Sequence, residues 1–205
     1  MSILTITGGS KLSGIIEIPG AKNAVLPVLA ATLLNKGISI LENCPELDDV
    51  FTMLEILSAL GCKIEREGSR IIVDATTLTS SVIPENLAKR MRSSIIMLGA
   101  VLGRCGDVLV SYPGGCEIGM RPIDMHLRAL EQMGAEVDGL SHGMLKVSAS
   151  KLQGCEILLD YPSVGATENI MLAATYAEGE TIIRNAAKEP EIEDLQEFLK
   201  KMGVD

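Results

Sequence analysis

Ile18–Gly37 reads IPGAKNAVLPVLAATLLNKG, a run of small and branched apolar residues that stops at a glycine. Two further stretches read alike: Ile83–Gly106 is IPENLAKRMRSSIIMLGAVLGRCG and Tyr161–Gly179 is YPSVGATENIMLAATYAEG. Their stop glycines, Gly37, Gly106 and Gly179, recur at nearly even spacing, so the chain carries an internal repeat. Each run is followed by a second helical pattern: LDDVFTMLEILSALG (Leu47–Gly61), PIDMHLRALEQMG (Pro122–Gly134) and EIEDLQEFLKKMG (Glu191–Gly203). Apolar residues recur there at i, i+3, i+4 and i+7, which predicts amphipathic helices ending at a glycine.

Short alternating stretches lie between the two helices of each repeat: GISILEN (Gly37–Asn43), GDVLVSY (Gly106–Tyr112) and GETIIRN (Gly179–Asn185). Strand pairs with glycine at the turn follow the second helix, CKIEREGSRIIVDA (Cys62–Ala75) and AEVDGLSHGMLKVSA (Ala135–Ala149). The unit reads strand, helix, strand, helix, strand, strand, an α/β fold of three such units. The chain stops at Met202–Asp205, where the third strand pair is due. An α/β unit left without its hairpin exposes an unpaired edge, so a truncated protein is expected, with a shorter natural variant as the alternative.

The repeats differ in one place. From stop glycine to stop glycine the first and third are equal in length, Gly37 to Gly61 and Gly179 to Gly203, while the second, Gly106 to Gly134, is longer by four. The added residues fall in YPGGCEIGMRP, Tyr112–Pro122. A glycine-rich loop enlarged around Cys116 predicts an exposed thiol, and Arg121 with a helix starting near Pro122 would favour its thiolate. The repeat also aligns Asn23, Arg92 and Gly165, each at the same distance before its stop glycine and at or near a helix start. Helix N-termini present free N–H groups and partial positive charge. Three such ends, with Lys22-Asn23, Arg92 and Ser163-Val164-Gly165, could converge on one anionic ligand. Pro27 fits a position near the helix start. Lys22, Arg92, Asp124 and His126 also read as ordinary surface residues, Asn23 as a cap, and Asp48 and Asp49 as helix N-terminal charges.

Composition narrows the classes. Hydrophobic residues make up 47%, aromatics 2%, and there is no Trp but ten Met, so the core must be aliphatic. The net charge of −9 disfavours nucleic acid as a partner. No apolar run is long enough to span a membrane, and the N-terminus lacks a secretory layout, which predicts a cytoplasmic protein. The five cysteines, Cys44, Cys62, Cys105, Cys116 and Cys155, contain no C-x-x-C pair. Neither a metal site nor a disulfide framework is expected, and the four other than Cys116 read as buried apolar residues.

Taken together, PGAKNAVLP (Pro19–Pro27), MRSS (Met91–Ser94), PGGCEIGMRPID (Pro113–Asp124), SVGATENIMLAA (Ser163–Ala174) and AAKEPEIEDL (Ala186–Leu195) resemble the enolpyruvyl transferases of peptidoglycan synthesis. The shikimate-pathway relative shares the architecture but lacks the cysteine loop. The resemblance covers the whole chain, which is about half a family member. It implies an inside-out α/β domain with helices inside and sheets outside. Residues 1–20 would be a strand segment pairing with a missing second, C-terminal domain, and residues 21–205 the truncated N-terminal catalytic domain.

It further implies enolpyruvyl transfer from phosphoenolpyruvate to the 3′-hydroxyl of UDP-N-acetylglucosamine with phosphate release, without a cofactor, serving cell-wall synthesis, cell shape and division. Cys116 would be the proton donor and the site of fosfomycin alkylation. Lys22, Asn23 and Arg121 would hold phosphoenolpyruvate. Asn23, Arg92, Arg121, Pro122, Ile123, Asp124, Met125, Ser163, Val164 and Gly165 would contact the nucleotide sugar. Some members have a basic residue where this chain has Tyr161. The resemblance also implies an aspartate base and arginines from the second domain, so this half alone is expected to turn over little. A non-catalytic nucleotide-sugar-binding module is the rival reading, and it leaves the thiol loop without a purpose.

Overall fold

The Ala- and Leu-rich runs that open each repeat become the interior. The computed structural model describes residues 3–111, 123–141 and 143–205. The first repeat gives helix α1 (Lys22–Ala31), strand β1 (Ile38–Leu41), helix α2 (Asp48–Ala59) and the hairpin β2 (Lys63–Glu67) with β3 (Arg70–Asp74). The second gives α3 (Glu85–Arg90), α4 (Met97–Cys105), β4 (Asp107–Ser111), α5 (Asp124–Gln132), β5 (Glu136–Ser141) and β6 (Met144–Ser148). The third gives β7 (Glu156–Leu158), α6 (Val164–Ala174), β8 (Ile182–Arg184) and α7 (Pro190–Lys201).

Strand order repeats with the sequence. The first two sheets are antiparallel, ordered β1-β3-β2 and β4-β6-β5, and β7 pairs parallel with β8 across α6. The expected opening strand is β7 in the third repeat and shrinks to a single parallel bridge, Val82 to Leu109, in the second. In the first repeat residues 3–20 belong to no strand, and Ile38 and Ile40 of β1 remain 61% and 51% exposed.

Helices α1, α4 and α6 lie at the centre, because their faces are apolar nearly all round. The amphipathic helices pack around them in a ring: α2 meets α3, α5 meets α6, and α7 returns to α1. The sheets lie outside, β2 behind α2 and β5 behind α5. At the heart of the ring α4 and α6 approach so closely that a Cβ at Gly99 would stand 2.2 Å from the Asn169 carbonyl oxygen. Asn169 bridges the contact. Its Oδ1 accepts from the Gly99 N–H at 2.6 Å and its Nδ2 donates to the Ile95 carbonyl at 3.0 Å.

Three expectations are corrected. The first helical run of the second repeat is two helices, because Met91 adopts extended backbone (φ −133°, ψ 118°). Ser94 Oγ donates to the Ala88 carbonyl at 3.0 Å, satisfying an acceptor that the break leaves open. Pro27 is not at the boundary but in the middle of α1, buried. Having no N–H, it cannot bond the Asn23 carbonyl one turn back. Of the four cysteines read as buried, only Cys44 and Cys62 are; Cys155 is half-buried and Cys105 is exposed. Cys105 is the last residue of α4, where Gly106 turns the chain out with φ 81°. Burial, followed by the Asp74 charge, pushes the Cys62 thiol up to about 11, so it stays protonated and inert. No helix among the described residues is long and apolar enough to cross a membrane.

Replacing Gly99 by Ala puts a methyl group against a backbone carbonyl that cannot swing aside. Chemical denaturation should show a loss of about 3 kcal/mol, and an unchanged unfolding midpoint would refute the tight α4–α6 contact.

Candidate functional site

The three aligned helix starts do converge. Between α1, the 3-10 turn Arg92–Ile96, α5, α6 and α7 lies a cavity of about 570 Å³. Its walls include Asn23, Arg92, Ile123, His126, Ser163, Val164, Gly165, Glu168 and Glu191. Asn23 lies in the first turn of α1, whose N-terminus has no side-chain cap, leaving its first N–H groups to a ligand or solvent. Ser163 caps α6 by accepting from the Ala166 N–H at 3.4 Å. The N–H groups of Val164 and Gly165, like those of any first turn, have no intrahelical acceptor. The α6 end therefore offers donors and a positive dipole end to an anion.

Lys22 stands beside Asn23 and pairs with Asp49 at 2.9 Å, with both side chains partly exposed. Asp49 thus does more than favour the α2 N-terminus: it fixes where the lysine ammonium rests. Ile123 is buried and lines the cavity. The two residues after it do not. Asp124 faces outward and accepts from Arg128 at 3.0 Å, while Met125 is buried in the core. Cys116, Arg121 and Pro122 lie outside the described residues.

Sequence reading undervalued His126 and missed Glu168, Asn169 and Glu191. His126 is 7% exposed, and Asn169 explains its state. Because Asn169 Oδ1 accepts from Gly99, its Nδ2 must donate toward His126 Nδ1, 2.8 Å away. The proton of the neutral imidazole is then on Nε2, near Gly165. Burial first, then the Arg92 charge, hold His126 down to about 4, so it presents an N–H and no charge. Glu168 is 3% exposed, and burial followed by the Glu191 charge pushes it up to about 8. Both residues had a sequence signal. His126 heads the apolar series Ala129, Leu130, Met133, and Glu168 is the single charged residue within α6.

A cavity joining helix ends, an arginine, a neutral histidine and carboxyl groups suits an anionic, hydroxyl-rich ligand. Comparison with known proteins defines the family. A family model described as EPSP synthase (3-phosphoshikimate 1-carboxyvinyltransferase) matches residues 6–205. The chain belongs to the EPSP synthase family. It is 54% identical over 204 residues to UDP-N-acetylglucosamine 1-carboxyvinyltransferase 2 of Caldanaerobacter subterraneus subsp. tengcongensis, covering 100% of this chain and 49% of that protein. It is 49% identical over 203 residues to UDP-N-acetylglucosamine 1-carboxyvinyltransferase of Desulfatibacillum aliphaticivorans, covering 99% and 49%. The chain spans about half the length of the curated relatives it matches. The crystal structure of the enolpyruvyl transferase NikO from Streptomyces tendae superposes with a TM-score of 0.85 at 24% identity, covering 97% of this chain and 46% of that one. EPSP synthase from Acinetobacter baumannii matches at 0.68 and 20% identity, over 88% of this chain and 42% of that one. Both share the fold described above, with helices inside and sheets outside.

The two shifted groups give stability a signed pH profile. His126 is depressed when folded, so its contribution is complete above about 6.5 and fades as pH falls toward 4. Glu168 is raised when folded, so the folded state holds more protons and stability falls as pH rises from about 4.5 to 8. Between pH 6.5 and 8 only the fall remains of the two. Thermal melts of wild type should drop across that window and those of Glu168→Gln should not; parallel curves would remove the raised carboxyl.

Proposed function

We propose that the protein carrying this chain transfers the enolpyruvyl group of phosphoenolpyruvate to the 3′-hydroxyl of UDP-N-acetylglucosamine, releasing phosphate for peptidoglycan synthesis. The observation that carries this reading is the convergence of Asn23, Arg92 and Ser163–Gly165, one helix start from each repeat, in a single cavity. The names of relatives that match the chain end to end, at 54% and 49% identity, support the choice of substrates. The Cys116 loop supports it too, being an enlargement that chain connection alone does not require.

In this reading the diphosphate of the sugar nucleotide lies against the α6 N-terminus and Arg92. Charge-assisted hydrogen bonds from a guanidinium and from helix N–H groups are about twice as strong as neutral ones. Asn23 positions the sugar between α1 and α6, with Arg121, Pro122 and Ile123 completing the contacts, while Asp124 and Met125 act only by fixing the start of α5. Lys22 leaves Asp49 to take phosphoenolpyruvate together with Arg121, stabilising the charge that develops as phosphate departs. Cys116 delivers a proton to C3 while the sugar hydroxyl gives its proton to a base of the second domain and adds to C2. The tetrahedral adduct then loses a proton from C3 as phosphate leaves, which restores the C2–C3 double bond. Fosfomycin would alkylate the same thiol.

The site is completed by a second domain. A groove along α1, β1 and α7, about 680 Å³ and lined by Val28, Ile40, Phe198 and Met202, lies open beside the unpaired edge of β1. Ile3, Leu4, Ile6, Leu12, Ile15, Ile16 and Ile18 are each at least 81% exposed. So much apolar surface supports the reading that residues 1–20 and the rest of this domain have a partner domain to cover them. The reaction belongs to the whole protein, in the cytoplasm, and this chain alone is expected to be nearly inactive.

Phosphate release by the intact protein should require both phosphoenolpyruvate and UDP-N-acetylglucosamine. Release from a folded protein in the absence of the sugar nucleotide, or none with both, would reject the transferase. Cys116→Ser should lower turnover by orders of magnitude while leaving sugar-nucleotide binding near normal; unchanged turnover would remove the thiol from the chemistry. Arg92→Ala should weaken binding of the sugar nucleotide about tenfold or more, measured by calorimetry.

A further inference from the structure

Glu168 is the anomaly of the cavity. It is 3% exposed and lines the cavity wall, yet forms no hydrogen bond or ion pair with any described residue. Its own helix provides no partner, since Val164 precedes it by one turn and Leu172 follows by one. A buried ionised carboxylate without a donor is strongly disfavoured, being an uncompensated ion. Placed one turn behind the helix end that would receive a diphosphate, an ionised Glu168 would also repel the ligand.

Among the described residues, the surrounding charges do not remedy this. Helix α1 brings Lys22, which is paired with Asp49. Helix α4 carries Arg104 and Cys105, and the 3-10 turn ahead of it Arg92, whose charge acts on His126. Helix α5 brings Asp124, turned toward Arg128, and the neutral His126. Tyr161 lies ahead of α6, and α7 brings Glu191, a second negative charge, which acts on Glu168 directly. Burial and the one effective neighbour both disfavour the ionised form.

We propose that Glu168 is kept as a neutral carboxylic acid and donates its O–H as a hydrogen bond to an oxygen of the anionic ligand at the α6 N-terminus, so that binding retains a proton on Glu168. The oxygen donor turns an acidic wall into one that accepts an anion, and the complex forms only with the protonated protein. This rests on the nucleotide-sugar reading given above. It adds to that reading a positioning residue and a coupling between ligand and proton, one that favours a phosphate-bearing sugar over a cationic one.

The test is calorimetric titration of the intact protein with UDP-N-acetylglucosamine at pH 7 and pH 9, each in two buffers of different ionisation enthalpy. A carboxyl titrating near 8 predicts about tenfold weaker binding at pH 9 than at pH 7. It also predicts uptake approaching one proton per ligand at pH 9 and close to none at pH 7. In Glu168→Gln, whose amide donates without titrating, both the pH dependence and the proton uptake should vanish. Equal pH profiles in the two proteins, or tighter wild-type binding at pH 9, would overturn the proposal. Carbon-detected NMR of the wild-type glutamate carboxyls tests it independently of the variant: a Glu168 resonance that titrates below pH 6 overturns it even where binding is normal. Absence of sugar-nucleotide binding by wild type at either pH would instead overturn the function on which the proposal stands.

Discussion

Everything in this domain is arranged around the contact of Gly99 with Asn169. The two central helices meet with backbone against backbone, which no side chain at position 99 would permit. Asn169 uses its carbonyl oxygen on Gly99 and its amide on Ile95 and His126, so one buried amide joins α4, the turn before it, α5 and α6. A buried amide is stable only when its polar atoms are matched, and that requirement fixes the spacing of these elements. The cavity is the space left beside this joint. Among the described residues, its walls therefore follow from the packing of the core.

The same joint sets the chemistry of the wall. Since Asn169 must donate to His126, the imidazole is neutral and offers its remaining N–H toward α6. Burial first, and then the Arg92 charge, keep it neutral by disfavouring a second proton. Positive character in the cavity then comes from a guanidinium and from helix ends, sources that do not vary near neutral pH, while the variable group is Glu168. An anionic ligand meets fixed attraction and adjustable repulsion.

The architecture was largely legible from sequence because the repeat states it three times. Stop glycines, amphipathic second helices and glycine-turned hairpins each recur, and agreement among copies makes a local pattern dependable. What failed to show was whatever depends on which side of an element faces its neighbours. GISILEN alternates, but the structure turns Ile38 and Ile40 outward and Ser39 and Leu41 inward, with Asn35 of the preceding turn donating to Ser39 Oγ at 3.1 Å. The break at Met91 was hidden for a similar reason, since a run of good helix formers gives no sign of an extended residue that tertiary packing imposes. Of the site, the helix ends were found by counting and the thiol loop by its greater length. Glu168 and Asn169 were not, since a polar residue in an apolar helix reads as a solvated exception until its buried neighbours are known.

The ring of helices closes only when α7 returns to α1, joining the last helix of the chain to the first. Contacts of such long range cost more chain entropy to close than local hairpins and helix pairs do. Glu191, on that last helix, is a wall of the cavity. A ribosome thus releases the first two repeats before α7 supplies this wall. Segments far apart in the chain must therefore be folded together before Asn23, Arg92 and Gly165 share one cavity with Glu191.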